Sequence, residues 1–177
     1  MGQFKEVLIW ILGGVLCTAA VLGVLRVIVP HNRNTTIWAN SIHASIEIPK
    51  SWKSEEPPRG DRISVTRKYS QGVTEASVLV NLMVFENDKA LKDCAEQLTA
   101  NYKIVFHRED HVECEKIKLG DVEAYKITYY WNTLRTDEYL FIAANRGYQI
   151  LTRASQDEFE NCTKDFDSIL KSFKPTN

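Results

Sequence analysis

The sequence predicts an α+β protein: an antiparallel β-sheet flanked by helices, an α/β/α sandwich, preceded by one N-terminal transmembrane helix. Three observations predict it. Residues 7–25 carry no charge. Between positions 42 and 155, apolar and polar residues alternate in a series of short runs. Two segments, 88–102 and 155–173, repeat their apolar residues at helical spacing. The arithmetic of the whole chain agrees: 177 residues, 44% hydrophobic and 25% charged, is the make-up of about one ordinary domain. A net charge of -1 excludes the basic excess of a nucleic-acid protein, so no nucleic-acid partner is expected.

The first element is the uncharged run VLIWILGGVLCTAAVLGVL, which continues past Arg26 to Val29 and ends at Pro30. At 1.5 Å per residue, about 19–23 residues cross the ~30 Å hydrocarbon core. Trp10 suits one interface, and Arg26 can reach the headgroups at the other. No small-residue cleavage site follows, and Leu16 precedes Cys17 where a lipidated cysteine needs a small neighbour. Residues 1–30 therefore read as a head and an uncleaved signal-anchor, touching lipid through 7–29. Residues 31–36 read as a short linker, and 37–175 as the globular domain. Lys5 on one side and Arg26 and Arg33 on the other give no clear positive-inside signal. The short head favours an exported C-terminal domain.

Strands follow. In 42–48, Ile42, Ala44, Ile46 and Ile48 share one side, and His43, Ser45 and Glu47 the other. The proline-rich stretch 54–61 is a loop, and 63–69 alternates again. The run ASVLVNLMVF, 76–85, is apolar on both sides and predicts a central strand covered on both faces. Strands at 122–131, 138–145 and 147–155 complete a meander, joined by the hairpin-like NTLRTD and Asn145-Arg146-Gly147. Of the helices, the first carries Leu91, Ala95, Leu98 and Tyr102 on one face. The second opens on the capping box Ser155–Glu158 and buries Phe159, Cys162, Phe166, Ile169, Leu170 and Phe173.

Chemistry-bearing residues are sparse. His107, Glu109, His111 and Glu113 fall on one side if 107–114 is a strand, and imidazole with carboxylate suits zinc or manganese. The plainer reading is a solvated edge strand, whose charges discourage edge pairing. No nucleophile motif or glycine-rich phosphate loop is present, so no enzyme and no obligatory cofactor is expected, a divalent metal being the one candidate. Cys94 and Cys162 can form a disulfide only if the two helices share a side of the sheet. Trp52, Tyr130 and Trp131 are candidate partner contacts, because aromatic residues are enriched at protein interfaces. Packing beneath a helix is the competing role.

The opening TTIWANSIHASIEIPKSW, with its proline closely followed by tryptophan, resembles the start of PsbP-like domains. The ending resembles theirs as well: a hairpin, the strand GYQILTRAS, and a helix with Phe159 and Phe166 running to Ile169-Leu170-Lys171-Ser172-Phe173. The family takes its name from an extrinsic photosystem II subunit and includes exported bacterial proteins and a nuclear Ran-binding factor. The resemblance implies a sheet flanked by helices, and a binding or assembly role rather than catalysis. Combined with the anchor, it implies a single-pass, extracytoplasmic accessory domain of a membrane protein complex. The membrane helix departs from the soluble lumenal subunit and argues against a photosynthetic role. The second expectation is a membrane-tethered metal- or small-ligand-binding domain built on the 107–113 cluster.

Overall fold

Among the described residues, ten strands and two α-helices fold in the order β1 (Thr35–Ala39), β2 (Ala44–Ile48), β3 (Trp52–Ser54), β4 (Arg62–Lys68), β5 (Thr74–Met83), α1 (Asp88–Phe106), β6 (Val112–Leu119), β7 (Val122–Trp131), β8 (Leu134–Ala143), β9 (Arg146–Ser155), α2 (Gln156–Ser172) and β10 (Lys174–Pro175), with a 3-10 turn over Asn40–Ile42 between β1 and β2. The computed structural model describes residues 34–54, 62–68, 74–85, 87–106 and 111–176. The membrane helix expected over 7–29 lies outside the described residues. Among those described, no helix is long and apolar enough to cross a membrane.

Seven strands form one antiparallel sheet in the order β3-β4-β5-β9-β8-β7-β6, and β1-β2-β10 form a second, three-stranded sheet. Alternation places successive residues of β8 on opposite faces. Phe141 joins the larger core with Phe159, Cys162, Phe166 and Ile169 of α2 and with Ile42, Ile46 and Ile48 beside them. Its neighbour Leu140 joins a smaller core with Leu91 and Ala95 of α1, Ile127 and Tyr129. The helices thus cover opposite faces, and the small sheet shares the α2 face. The expected sandwich is present in this form.

Local chemistry sets the connections. Three hairpins turn on two residues each, as the pairs Leu119↔Val122, Trp131↔Leu134 and Ala143↔Arg146 require. Gly120, Asn132, Ala144 and Asn145 take the positive φ of 63°, 54°, 48° and 59° that such turns demand. The last two turns are shorter than the connections NTLRTD and Asn145-Arg146-Gly147 that the sequence predicts. Leu134 to Asp137 belong to β8, and Arg146-Gly147 to β9, because long cross-strand pairing outweighs the polar look of LRTD. At the start of α2, Ser155 is the N-cap residue, but its hydroxyl makes no capping bond. The Gln156 N–H instead donates to the carbonyl of Thr133 at 2.8 Å, tying the helix to the β7–β8 turn.

Two expectations are corrected. β5 is central, with Ala76, Val78 and Val80 buried towards α2. On its other face Ser77, Leu79 and Met83 are only half-buried, because α1 packs over β6, β7 and β8. Cys94 and Cys162 lie on opposite faces with the sheet between them, since Cys162 belongs to the α2 core and Cys94 to α1. No disulfide joins Cys94, Cys114 and Cys162.

Candidate interaction surface

The face that α1 covers ends in an aromatic stack, which grows out of the helix and strand periods. Asn87 caps α1, its side-chain oxygen accepting from the Ala90 N–H at 3.0 Å. From there Leu91, Ala95, Leu98, Tyr102 and Phe106 recur every three or four residues and face the sheet. On β7, Ile127, Tyr129 and Trp131 alternate onto the same face. The ring centroids of Tyr102 and Tyr129 lie 4.5 Å apart. Phe106 stacks on Tyr129 at 5.4 Å and on Trp131 at 6.5 Å, with interplanar angles of 19° and 26°.

The stack emerges into solvent. Tyr129 is buried, whereas Trp131 is 53% exposed; in the last turn of α1, Ile104 and Val105 are 69% and 64% exposed. A scattered exposed hydrophobe needs no explanation, but an exposed tryptophan with its ring stacked from below is a common form of contact residue. Phe106 holds the inner face of Trp131, so little side-chain freedom remains for a partner to remove.

A chain of polar side chains pins the stack to the sheet. The Tyr102 hydroxyl donates to Glu138 Oε2 at 2.8 Å, and Gln149 Nε2 donates to Glu138 Oε1 at 2.6 Å. Asn81 Nδ2 donates in turn to Gln149 Oε1 at 2.7 Å. Glu138 is fully buried. Burial pushes its carboxyl above the ordinary carboxylate range, and the two donated hydrogen bonds oppose that rise. Burial, reinforced by the charge of Glu138, raises the Tyr102 hydroxyl and the Cys94 thiol. At Cys94 this disfavours the thiolate, the form that reacts. Among the described residues no buried side-chain nitrogen or oxygen lacks a hydrogen bond.

A second charged cluster lies on the α2 face. Asp137 accepts from Arg135 Nε and Nη2 at 3.1 and 3.2 Å, pairs with Lys126 at 3.3 Å, and accepts from the Thr128 hydroxyl at 3.1 Å. The Arg135 guanidinium also lies 4.1 Å over the Phe159 ring. Each charge is answered, so the cluster reads as a cross-link between β7, β8 and α2.

The predicted site residues separate. Trp131 is on the surface, and Tyr130 is half-buried on the opposite face with His111 edge-on at 5.9 Å. Trp52 is corrected: it is a core residue, 3% exposed, with Nε1 donating to Asp165 at 2.9 Å and its ring edge-on to Phe166. The proline before it turns the chain so that its ring enters the α2 core instead of facing a partner. His107 and Glu109 lie outside the described residues. His111 directly precedes β6, and Glu113 is exposed on β6, which is an edge strand as the plainer reading expected. Among the described residues no group of three or more His, Cys, Asp or Glu side chains is arranged to hold a metal ion. Ile104, Val105 and Phe106 were missed. Their signal was that Phe106 continues the helix's core stripe one turn past Tyr102, while Ile104 and Val105 are apolar residues off it.

With this geometry in hand, the chain can be placed among known folds. No family model and no curated protein matches it. Solved structures do. The cyanobacterial PsbP (CyanoP) of Synechocystis sp. PCC 6803 superposes with a TM-score of 0.53 at 13% identity, over 84% of this chain and 95% of that one. PA94 of Pseudomonas aeruginosa, a protein of unknown function, superposes at 0.53 and 11% identity, over 82% and 99%. LpqN of Mycobacterium tuberculosis, described as involved in cell envelope biogenesis, superposes at 0.51 and 12% identity, over 83% and 92%. The class is therefore an α+β domain of antiparallel sheets with two helices. Within that class, the fold is PsbP-like.

Proposed function

We propose that this chain is a non-enzymatic, single-pass membrane protein whose PsbP-like domain, on the extracytoplasmic side, binds or helps assemble a membrane protein complex. The observation that carries the reading is the exposed Trp131, its ring stacked on Phe106 at the end of α1. Fixed aromatic anchors surrounded by apolar contacts supply most of the energy at protein interfaces. The uncharged run at 7–25 supports the anchor. An anchor raises the local concentration of the domain near a membrane partner, so a modest interface suffices. LpqN, which shares the fold, is described as involved in cell envelope biogenesis, and that agrees with a role at the envelope.

The test is affinity purification of the tagged full-length protein from its native membrane in mild detergent, followed by mass spectrometry. A companion protein in near-equal amount is expected. Trp131→Asp is expected to lower its recovery by about tenfold or more, the usual consequence of losing a central aromatic. Recovery of the protein alone, or a companion retained in full by Trp131→Asp, would overturn the reading.

A further inference from the structure

α1 roofs only part of its face of the sheet. It packs over β6, β7 and β8, and among the described residues β3, β4, β5 and β9 carry no helix on that side. Register fixes which side chains stand there, because directly opposed residues of an antiparallel pair share a face. Leu140 marks the α1 face, and alternation along β8 adds Glu138 and Thr136. Thr136 opposes Arg153, Arg153 opposes Ser77, Ser77 opposes Thr66, and Thr66 opposes Lys53 on the edge strand β3. In the other direction Thr136 opposes Tyr129 of the aromatic stack, so this row runs unbroken from β3 to the stack. A parallel row, from Leu140 through Gln149 and Asn81, ends on Arg62. Between the two rows lie Leu151, Leu79 and Ser64.

These rows are electropositive. Over β3, β4, β5 and β9 they contain two arginines, one lysine and no acid. Lys53 is exposed, and Arg62 and Arg153 are half-buried. Among the described residues none of the three forms an ion pair. Arg153 is held by neutral groups. Its Nε donates to the Thr136 hydroxyl at 3.1 Å. Burial and the charge of Glu138 raise the Tyr129 hydroxyl, and the Arg153 guanidinium beside it opposes that rise. Arg153 thus borders the stack from its open side with its charge unanswered.

We propose that this open face receives an extended acidic segment of the same protein partner that seats on Trp131, one carboxylate bonding Arg153 and another reaching Lys53. The inference rests on reading Trp131 as a protein contact, and it specifies the chemistry of that partner. Lys53 and Arg153 stand three strand spacings apart, about 14 Å for strands roughly 4.8 Å apart. An extended chain covers that distance in about four residues, and side chains four apart project to the same side. The cations therefore suit separate carboxylates along a peptide rather than one compact phosphate head. Arginine takes a carboxylate in a two-pronged bond and is enriched at protein interfaces. The hydroxyls of Thr66 and Ser77, between the two cations, offer donors to the segment's carbonyls.

The test uses the tagged full-length protein in mild detergent, washed at the salt concentration at which half of its companion protein is retained. Ser77→Glu puts a negative charge between Lys53 and Arg153 and is expected to lower the retained companion by about threefold, whereas Ser77→Lys is expected to raise it. Both replacements are long, so a purely steric effect would lower both. Ser77 is half-buried on the uncovered face, and its side chain makes no hydrogen bond among the described residues, so the fold accepts either. In Arg153→Lys, a carbodiimide is expected to couple the new amine to an Asp or Glu of the companion, releasing water, at a site mapped by mass spectrometry. The wild-type guanidinium does not couple. Equal responses of the two Ser77 variants, or coupling at position 153 to a lipid carboxylate or to no carboxylate of the companion, would overturn the proposal. If Trp131→Asp still loses the companion in that case, the wider reading stands. Absence of any companion from the wild-type protein overturns both.

Discussion

Phe141→Ala is expected to destabilise the domain by about 3–5 kcal/mol, the ordinary cost of truncating a buried phenylalanine in a core that cannot close around the gap. The ring is 1% exposed, stacked at 5.8 Å on Tyr148 and edge-on to Phe173. It therefore joins β8, β9 and the end of α2 in one contact. Tyr148 is further committed, its hydroxyl donating to the carbonyl of His43 at 3.1 Å, so it cannot swing into the void. Against a typical total of about 5–15 kcal/mol, a loss of this size leaves the domain marginal. Urea unfolding followed by fluorescence measures it. Val84→Ala, at a position 93% exposed, serves as the contrast and is expected to change stability by less than about 0.5 kcal/mol.

The second large effect is at Glu138. Removing the carboxylate with Glu138→Ala strands the Tyr102 hydroxyl and the Gln149 amide inside the protein, at a cost of about 1–3 kcal/mol. The pH dependence has a definite sign. Burial raises the folded-state carboxyl above its unfolded value, so the folded protein binds this proton more tightly than the unfolded chain. Its contribution to stability thus increases as pH falls from above the raised value towards the unfolded one of 4.5, and levels off below that. Glu138→Gln keeps a hydrogen-bonding group in place and removes the titration. It is expected to abolish that part of the pH slope, which urea midpoints between pH 4 and 8 would record. An unchanged slope in the glutamine variant would contradict the account of this network.

Much of this architecture is written in the chain's periods. Alternation in 42–48 marked β2, although the strand begins only at Ala44, after a 3-10 turn ending at Ile42, and Ser45 on the other side is buried too. The run 122–131 became β7, and the 3.6-residue spacing from Phe159 to Leu170 yielded α2 with its buried face. Non-local pairing was illegible. Nothing in Ala44–Ile48 distinguishes a strand of the main sheet from one that leaves it to pair with β1 and with Lys174-Pro175 at the far end of the chain. The apolar run of β5 signalled a central strand. It could not say that α1 would roof only the β6–β8 half of that face. Trp52 and Trp131 show the same limit at the site. Both are tryptophans at the end of an extended segment, and only the tertiary structure turns one inward against Phe166 and leaves the other supported by Phe106. Glu138 carried a fainter sign. It is an acid between Asp137 and the apolar Tyr139-Leu140-Phe141, yet the donors that make its burial tolerable come from α1 and β9.

The measurement that reaches the central claim most directly is site-specific photo-crosslinking in intact native cells. A photoreactive phenylalanine analogue is placed in turn at positions 131, 104 and 38. Trp38 is 61% exposed but lies on the small sheet, across the domain from the aromatic stack, and so provides the comparison. A protein partner seated on the stack predicts one shared crosslinked species from positions 131 and 104, absent from position 38. Crosslinks of equal strength from all three positions, or none from 131 and 104, would contradict it.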